Sequence, residues 1–462
     1  MTQSEALAAL RRRLGREALL EGDAVGAKHH VDFSGEHACA PRALLRPAST
    51  AELAAMLEIC HALGQPVVVQ GGLTGLAGGA TPQAGEIALS MERMAGVEEI
   101  DRGSMTATAL AGTPLQALQE AAADAGFLFP LDLGARGSCT IGGNIATNAG
   151  GNQVIRFGMM RSLVLGLEAV LADGTVVSSM GKMLKNNAGY DLKQLFIGTE
   201  GTLGIVTRAV LRLYPKLPVK TTALCAVPDF DAAVALLQLM QVRFAGALSA
   251  FEAMWDSYFH YVVDHVEALR SPFAQRHALY VLVETEGADE RADRERFETA
   301  LEEALASKVI ADAALAQSGR EARALWGIRD GIAEITPLLQ PMLAFDVSLG
   351  LGEMPPFLAR VDRELGAAFP GVTCLIFGHL GDSNLHLAVT TGAAADMPEI
   401  CALVYAATGD YGGSVSAEHG VGTLRREYLR HSRGPAEIEL MRRLKRALDP
   451  KGILNPGRVI PD

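Results

Sequence analysis

Three glycine-dense loops bordered by extended chain constrain this sequence more than any other feature. The first, Gly71-Gly72-Leu73-Thr74-Gly75-Leu76-Ala77-Gly78-Gly79, continues directly from the apolar run Val67-Val68-Val69. The second occupies residues 134–151 and carries Gly137-Ser138-Cys139-Thr140-Ile141-Gly142-Gly143-Asn144; the third is Gly198-Thr199-Glu200-Gly201-Thr202-Leu203-Gly204. Backbone amides surround a pyrophosphate only where side chains do not block its approach, so glycines gather at such sites. One loop of this kind is ordinarily turn punctuation, whereas three in one region point to a long dinucleotide. Neither of the first two contains the GxxxxGK[ST] of a nucleotide triphosphatase, and neither gives a clean GxGxxG opening a helix. Triphosphate hydrolysis and a Rossmann-type NAD site are therefore disfavoured.

The rest of the chain bounds the partners. Its 462 residues exceed one compact core, so two or three domains are expected. A formal charge of −12 argues against a nucleic-acid partner and requires that an anionic substrate be held by local positive groups. The six cysteines are scattered with no CxxC pair, which fits a reducing compartment better than a disulfide framework. Near the N-terminus an Ala/Leu run precedes Arg11-Arg12-Arg13, the reverse of a secretory signal, and no apolar stretch is long enough to span a bilayer. The expected location is cytoplasmic, with a peripheral membrane contact left open.

Periodicity divides the chain. Residues 4–20 read as a helix with Leu7, Leu10 and Leu14 on one face, within an N-terminal helical segment 1–40. Short β runs broken by Gly and Pro fill 41–218. In that region Thr113-Pro114 supplies an expected N-cap and first helical residue, a helix over 115–125 ends at Gly126, and Asp173-Gly174 turns a hairpin. Longer helices over 229–243, 289–306 and 318–336 alternate with strands such as 278–284 and 373–379, which marks 219–425 as a second, α+β domain. A C-terminal segment, 426–462, carries a helix over 434–450.

The chemistry is concentrated in Phe377-Gly378-His379-Leu380-Gly381-Asp382-Ser383-Asn384-Leu385-His386-Leu387, where apolar runs flank a Gly-Asp-Ser-Asn turn and predict a hairpin. With the turn centred on Asp382-Ser383, His379 and His386 would face each other directly across the two strands, close enough to share a metal ion. Two hairpin histidines alone are equally consistent with a structural role, so a third ligand is needed. Ser416-Ala417-Glu418-His419-Gly420-Val421-Gly422 offers Glu418 as that ligand and His419 as a base. Adjacent side chains point apart on a regular strand, and Gly420 and Gly422 permit the turn that would bring both to one site. Farther upstream, Trp326, Arg329 and Ala333 share one helical face, and the guanidinium fork of Arg329 suits a substrate carboxylate.

Residues 67–82, 130–151, 198–206 and 455–457, in this order, closely resemble the FAD domain of the vanillyl-alcohol oxidase / p-cresol methylhydroxylase superfamily, in particular its D-lactate, glycolate and D-2-hydroxyglutarate dehydrogenase group. The resemblance implies a two-subdomain FAD-binding domain, an α+β substrate (cap) domain and a C-terminal segment returning to the flavin. It implies FAD contacts at Gly71, Gly72, Leu73, Thr74, Gly75, Leu76, Pro130, Gly137, Ser138, Ile141, Gly142, Gly143, Asn144, Thr147, Gly150, Ile205 and Asn455. With no His or Cys in the first loop, attachment should be non-covalent. The group's HxGDGNxH and EHG segments map without gaps onto His379, His386 and Glu418 as ligands of a divalent metal and His419 as catalytic base. Ser383 stands where the group usually has Gly. The resemblance also places a substrate-binding Arg at Arg329.

The departures bear on substrate. Relatives acting on D-2-hydroxyglutarate are expected to carry Thr, Lys and Asn where this chain has Ala333, Ala344 and Ala388. A second, distal carboxylate loses its partners there, and burying it unpaired is costly. The expected reaction is oxidation of a D-2-hydroxy acid, D-lactate or another monocarboxylate favoured, to the 2-oxo acid. In it the metal polarises the hydroxyl, His419 takes its proton, and hydride passes to flavin N5. Zinc is the first choice of metal, with manganese and iron as alternatives. D-2-hydroxyglutarate or glycolate oxidation, a sugar-lactone oxidase or ether-lipid synthase, and a non-catalytic flavin subunit are the competing readings. The electron acceptor would be a quinone, flavoprotein or cytochrome, and a homodimer is favoured on base rates.

Overall fold

In the computed structural model, which describes residues 3–15 and 17–461, the chain forms two compact units. The first comprises residues 1–151, 157–216 and 418–462; the second comprises 152–156 and 217–417. Residues 418–425, assigned to the second domain by the sequence pattern, thus belong with the first. The cause is local: the half-buried Glu200 carboxylate accepts from the amides of Val421 and Gly422 at 2.7 and 2.9 Å, and the Ala77 carbonyl accepts from Thr423 and Leu424.

The first unit holds a four-stranded, a five-stranded and a two-stranded sheet, and the two larger ones form its frame. In one, the strands Leu44–Leu45, Ile87–Ser90 and Val67–Gln70 run parallel, covered by the helix Thr50–Leu63, whose Ser49 hydroxyl accepts from the Glu52 amide. Helix and sheet bury Leu53, Met56, Val67 and Ile87 completely. The other sheet is five-stranded and antiparallel, and contains the expected hairpin Val164–Val170 / Val176–Ser179 closed by Gly174 at φ 89. Leu115–Asp124 is helical and Gly126 follows with φ 85, as a glycine after a helix end should. Thr113 does not cap this helix: its hydroxyl donates to the Gly96 carbonyl and accepts from the Gly96 amide, leaving Pro114 at the boundary. The first helix, Gln3–Arg13, is shorter than the 4–20 pattern, with a bend at Leu14 and Gly15 following it. The C-terminal chain returns to the parallel sheet, where Leu454 bridges Val67 and the Asn455 side chain accepts from the Val69 amide at 2.8 Å.

The second unit is a seven-stranded antiparallel sheet, in the order Asp312–Leu315, Val219–Val227, Leu279–Gly287, Leu248–Trp255, Thr373–His379, Asn384–Thr390, Leu343–Ser348. Side chains alternate across each strand, so the paired residues Leu224, Leu282, Met254, Phe377 and Ala388 lie on one face. They pack there with Tyr258, Phe259 and Val262 of helix Asp256–His265 and with Leu325 and Ile328 of helix Gly319–Asp330. The Phe259 and Tyr280 rings stack with centroids 3.7 Å apart. Full burial of such side chains contributes roughly 1.5–3 kcal/mol each, which fixes the helix that carries Arg329. The segment expected as one helix over 318–336 is interrupted: it ends at Asp330, passes through Gly331, and resumes over Ile332–Ile335. No helix among the described residues is long and apolar enough to cross a membrane.

Candidate active site

In the first unit the two glycine loops lie against each other. A Cβ on Gly72 would fall inside the contact distance of the Ser138 carbonyl oxygen and 2.8 Å from the Cys139 Cα; one on Gly71 would lie 2.6 Å from the Thr140 hydroxyl. These glycines therefore permit loop-on-loop packing. Among the described residues, no backbone N–H from Gly71 to Gly79 donates to a protein acceptor. A half-buried run of unused donors with two glycine edges is the donor set a pyrophosphate requires. Thr140 caps the short helix Ile141–Thr147, accepting from the Gly143 amide at 3.3 Å, and Thr147 donates back to the Gly143 carbonyl. Asn144, Ile141, Pro130, Gly150 and Ile205 are buried around this helix and loop, while Gly137 and Ser138 are exposed. The Asn455 carboxamide is spent within the protein, since it also donates to the Glu200 carbonyl at 2.6 Å.

Glu418 and His419 stand beside the second glycine loop of this unit. The Glu418 carboxylate accepts from the Gly151 amide at 2.7 Å, and Glu200 holds the two amides after Gly420. Gly420 and Gly422 have φ 80 and 52, the left-handed turns expected to redirect the chain after His419. Burial pushes the Glu200 carboxyl upward, and the two amide bonds oppose this only in part.

In the second unit the histidine hairpin forms, but in a different register. Phe377 is the residue opposite His386, whereas His379 pairs with Glu252 on the neighbouring strand. The turn is Leu380-Gly381-Asp382-Ser383, one residue earlier than the expected Gly-Asp-Ser-Asn, and this displacement shifts the pairing by two. A shift of two preserves the face, so the histidines remain neighbours on the diagonal. Their ring centroids are 5.3 Å apart, and one nitrogen of each lies within 4.8 Å of the other's. Ser383 adopts φ 69, the region that favours glycine. Ser383→Gly should therefore raise stability by about 0.5–1 kcal/mol, read as a higher melting temperature; a lower one would contradict the strain argument.

Behind His379 lies an arrangement that the sequence reading missed. Glu252, only 1% exposed, accepts from Arg329 Nε at 2.8 Å and from His379 Nδ1 at 2.8 Å. Arg329 Nη2 reaches the other ring nitrogen, Nε2, at 3.1 Å, and the Arg329 carbonyl accepts from Tyr258 Oη at 2.6 Å. Burial pushes the Glu252 carboxyl up, but His379 and Arg329 outweigh it and hold the group below its ordinary range. Arg329 is raised by Glu252 against its own burial. Removing one partner of such a buried pair costs about 3–5 kcal/mol. His386 has a looser companion in the buried Asp346, directly opposite it at 3.8 Å. Asn384 starts the same strand, and both polar atoms of its buried carboxamide lack a protein partner. The faint signal for Glu252 was a lone acid in Leu248-Ser249-Ala250-Phe251-Glu252-Ala253-Met254-Trp255, an otherwise apolar strand.

Of the other positions expected to meet substrate, Ala344 and Ala388 face each other across paired strands; Ala388 is buried in the apolar core and Ala344 is exposed. Ala333 is exposed and lies beyond the break at Gly331, so it does not continue the face of Trp326 and Arg329. Trp326 donates instead to Glu284 at 2.9 Å.

Comparison with known proteins agrees with this architecture. Residues 41–179 match a family described as FAD binding domain, and residues 216–459 match FAD linked oxidases, C-terminal domain. The chain is 37% identical over 450 residues to a mitochondrial D-2-hydroxyglutarate dehydrogenase of Arabidopsis thaliana, covering 97% of this chain and 80% of that protein. It is 41% identical over 422 residues to the protein of the same name from Bos taurus, covering 91% and 77%. The fold is that of p-cresol methylhydroxylase, with a TM-score of 0.78 at 17% identity over 99% of this chain and 97% of that one.

Proposed function

Because this chain belongs to the FAD-linked oxidases and is an FAD-dependent hydroxy-acid dehydrogenase, we propose that it oxidises a D-2-hydroxy monocarboxylate to the 2-oxo acid with the help of a divalent metal. The observation that carries the metal is the pair His379 and His386, on one face with nitrogens within 4.8 Å. Glu418 is the third ligand in this reading. It directly follows Ala417, whose amide donates to the carbonyl of Asp346, the residue opposite His386. Two imidazoles and a carboxylate suit zinc, with manganese or iron as alternatives. When bound, the metal lowers the cost of ionising the substrate hydroxyl, and the flavin accepts the α-hydrogen as hydride at N5.

The chain's own groups do the rest. Neutral His419 takes the hydroxyl proton through a ring nitrogen. Arg329 holds the substrate carboxylate, and Asn384 offers a further buried donor and acceptor on the histidine strand. The amides of residues 71–79 bind the pyrophosphate, with no covalent tether in that loop. Electrons leave to a quinone, flavoprotein or cytochrome.

The substrate tail is assigned from the paired Ala344 and Ala388, which give a distal carboxylate no partner. D-2-hydroxyglutarate is the second reading, favoured by the names of the relatives. An anaerobic flavin-reduction screen separates them. D-lactate and longer D-2-hydroxy monocarboxylates should bleach the flavin, their L-enantiomers should not, and a chelator should slow the reaction. Bleaching by D-2-hydroxyglutarate far faster than by D-lactate would overturn the assignment of the tail. Failure of every D-2-hydroxy acid would overturn the reaction.

A further inference from the structure

We propose that Glu252 is a positioning residue of the reaction, holding His379 in the orientation and tautomer that metal binding requires while setting the direction of Arg329. The inference rests on the metal reading above and extends it to a residue with no place in the sequence motifs.

A neutral imidazole has one donor and one acceptor nitrogen. At His379, Nδ1 lies 2.8 Å from the Glu252 carboxylate, which only accepts when ionised, so Nδ1 carries the proton. Nε2 then carries an in-plane lone pair; Arg329 Nη2, 3.1 Å from Nε2 and 3.4 Å from Nδ1, stands against the ring and not along that lone pair. That lone pair is the one a metal ligand must present. Histidines that bind metals commonly give their second N–H to a carboxylate, which fixes the ring and strengthens the ligand. Here the carboxylate is supplied across the sheet, because Glu252 and His379 are register partners on adjacent strands. The other oxygen contact of Glu252, from Arg329 Nε at 2.8 Å, orients the guanidinium from the helix side. One carboxylate thereby couples the proposed ligand to the proposed substrate anchor. The carboxylate facing His386, that of Asp346, stands farther off, at 3.8 Å.

The test is metal affinity in the purified, FAD-loaded protein, measured by competition with a chromogenic chelator using zinc and manganese in turn. Glu252→Gln should weaken binding about 10- to 100-fold. Glu252→Asp, which keeps the charge opposite Arg329 and so guards against misfolding, should also weaken it, because the shortened carboxylate no longer reaches Nδ1. Asp346→Asn should change affinity far less than Glu252→Gln. The substrate KM should rise in the Glu252 variants, as Arg329 loses its direction. If both Glu252 variants melt at lower temperature without metal yet bind it with wild-type affinity, Glu252 only neutralises Arg329 and the proposal falls. If His386→Asn binds metal as tightly as wild type, the metal reading itself fails, a result distinct from failure at Glu252 alone.

Discussion

His386→Asn is expected to lose turnover by roughly a thousandfold while retaining a full complement of FAD. The magnitude follows from the role: a metal that stabilises charge developing on the substrate oxygen supplies several kcal/mol, and about 4 kcal/mol is a factor of roughly a thousand in rate. FAD should remain because His386 belongs to the second unit, whereas the glycine loops and their unused amides belong to the first. His386 is a cleaner probe than His379, whose ring also takes part in the buried set with Glu252 and Arg329, so that its replacement would confound ligand loss with a disrupted ion pair. The measurement pairs steady-state oxidation of a D-2-hydroxy acid with the metal content of the same sample. Wild-type protein stripped by a chelator should fall to the variant's rate and recover on addition of zinc or manganese, and the variant should not recover. A variant that turns over at the wild-type rate, or a stripped wild type that does, would remove the metal from the reaction.

That prediction was reachable from sequence because hairpin signals are local. Apolar runs around Gly-Asp-Ser-Asn predict two strands and a turn, and period-two alternation keeps both histidines on one face whatever even shift the turn imposes. The exact register was not legible: the place of the turn depends on Ser383 reaching φ 69, which a non-glycine residue seldom does. Glu252 was beyond local reasoning altogether. Its partner His379 lies 127 positions away, and only the strand order of the finished sheet brings them together. The helix around Arg329 shows the opposite failure, since its periodicity runs through Gly331 although the chain breaks there. Thr113 likewise has the residue type of a cap but a better partner in the backbone of Gly96. Local patterns identified element types and where the loops fall; contacts set by tertiary packing decided which side chains meet.

The same distinction governs Gly72, and Gly72→Ala should yield protein nearly free of flavin. The added methyl would overlap the Ser138 carbonyl oxygen and crowd the Cys139 Cα at 2.8 Å, both backbone atoms that cannot rotate away. Relief requires the two glycine loops to separate, at a cost typical of overpacking, about 1–3 kcal/mol or more. A comparable loss in cofactor binding is about 10- to 100-fold in affinity. Gly71→Ala should be milder, because its methyl would meet the Thr140 hydroxyl at 2.6 Å, a side-chain atom that can turn aside at the expense of its bond to Gly143. Gly134→Ala, in the second loop, meets nothing within 4 Å and should bind FAD normally. Flavin absorbance per mole of protein and a reconstitution titration would rank the three. The order expected is Gly72→Ala weakest, Gly71→Ala intermediate and Gly134→Ala unchanged. Full flavin in Gly72→Ala would mean that the loops part without cost, and then their close approach is not what shapes the cofactor cradle.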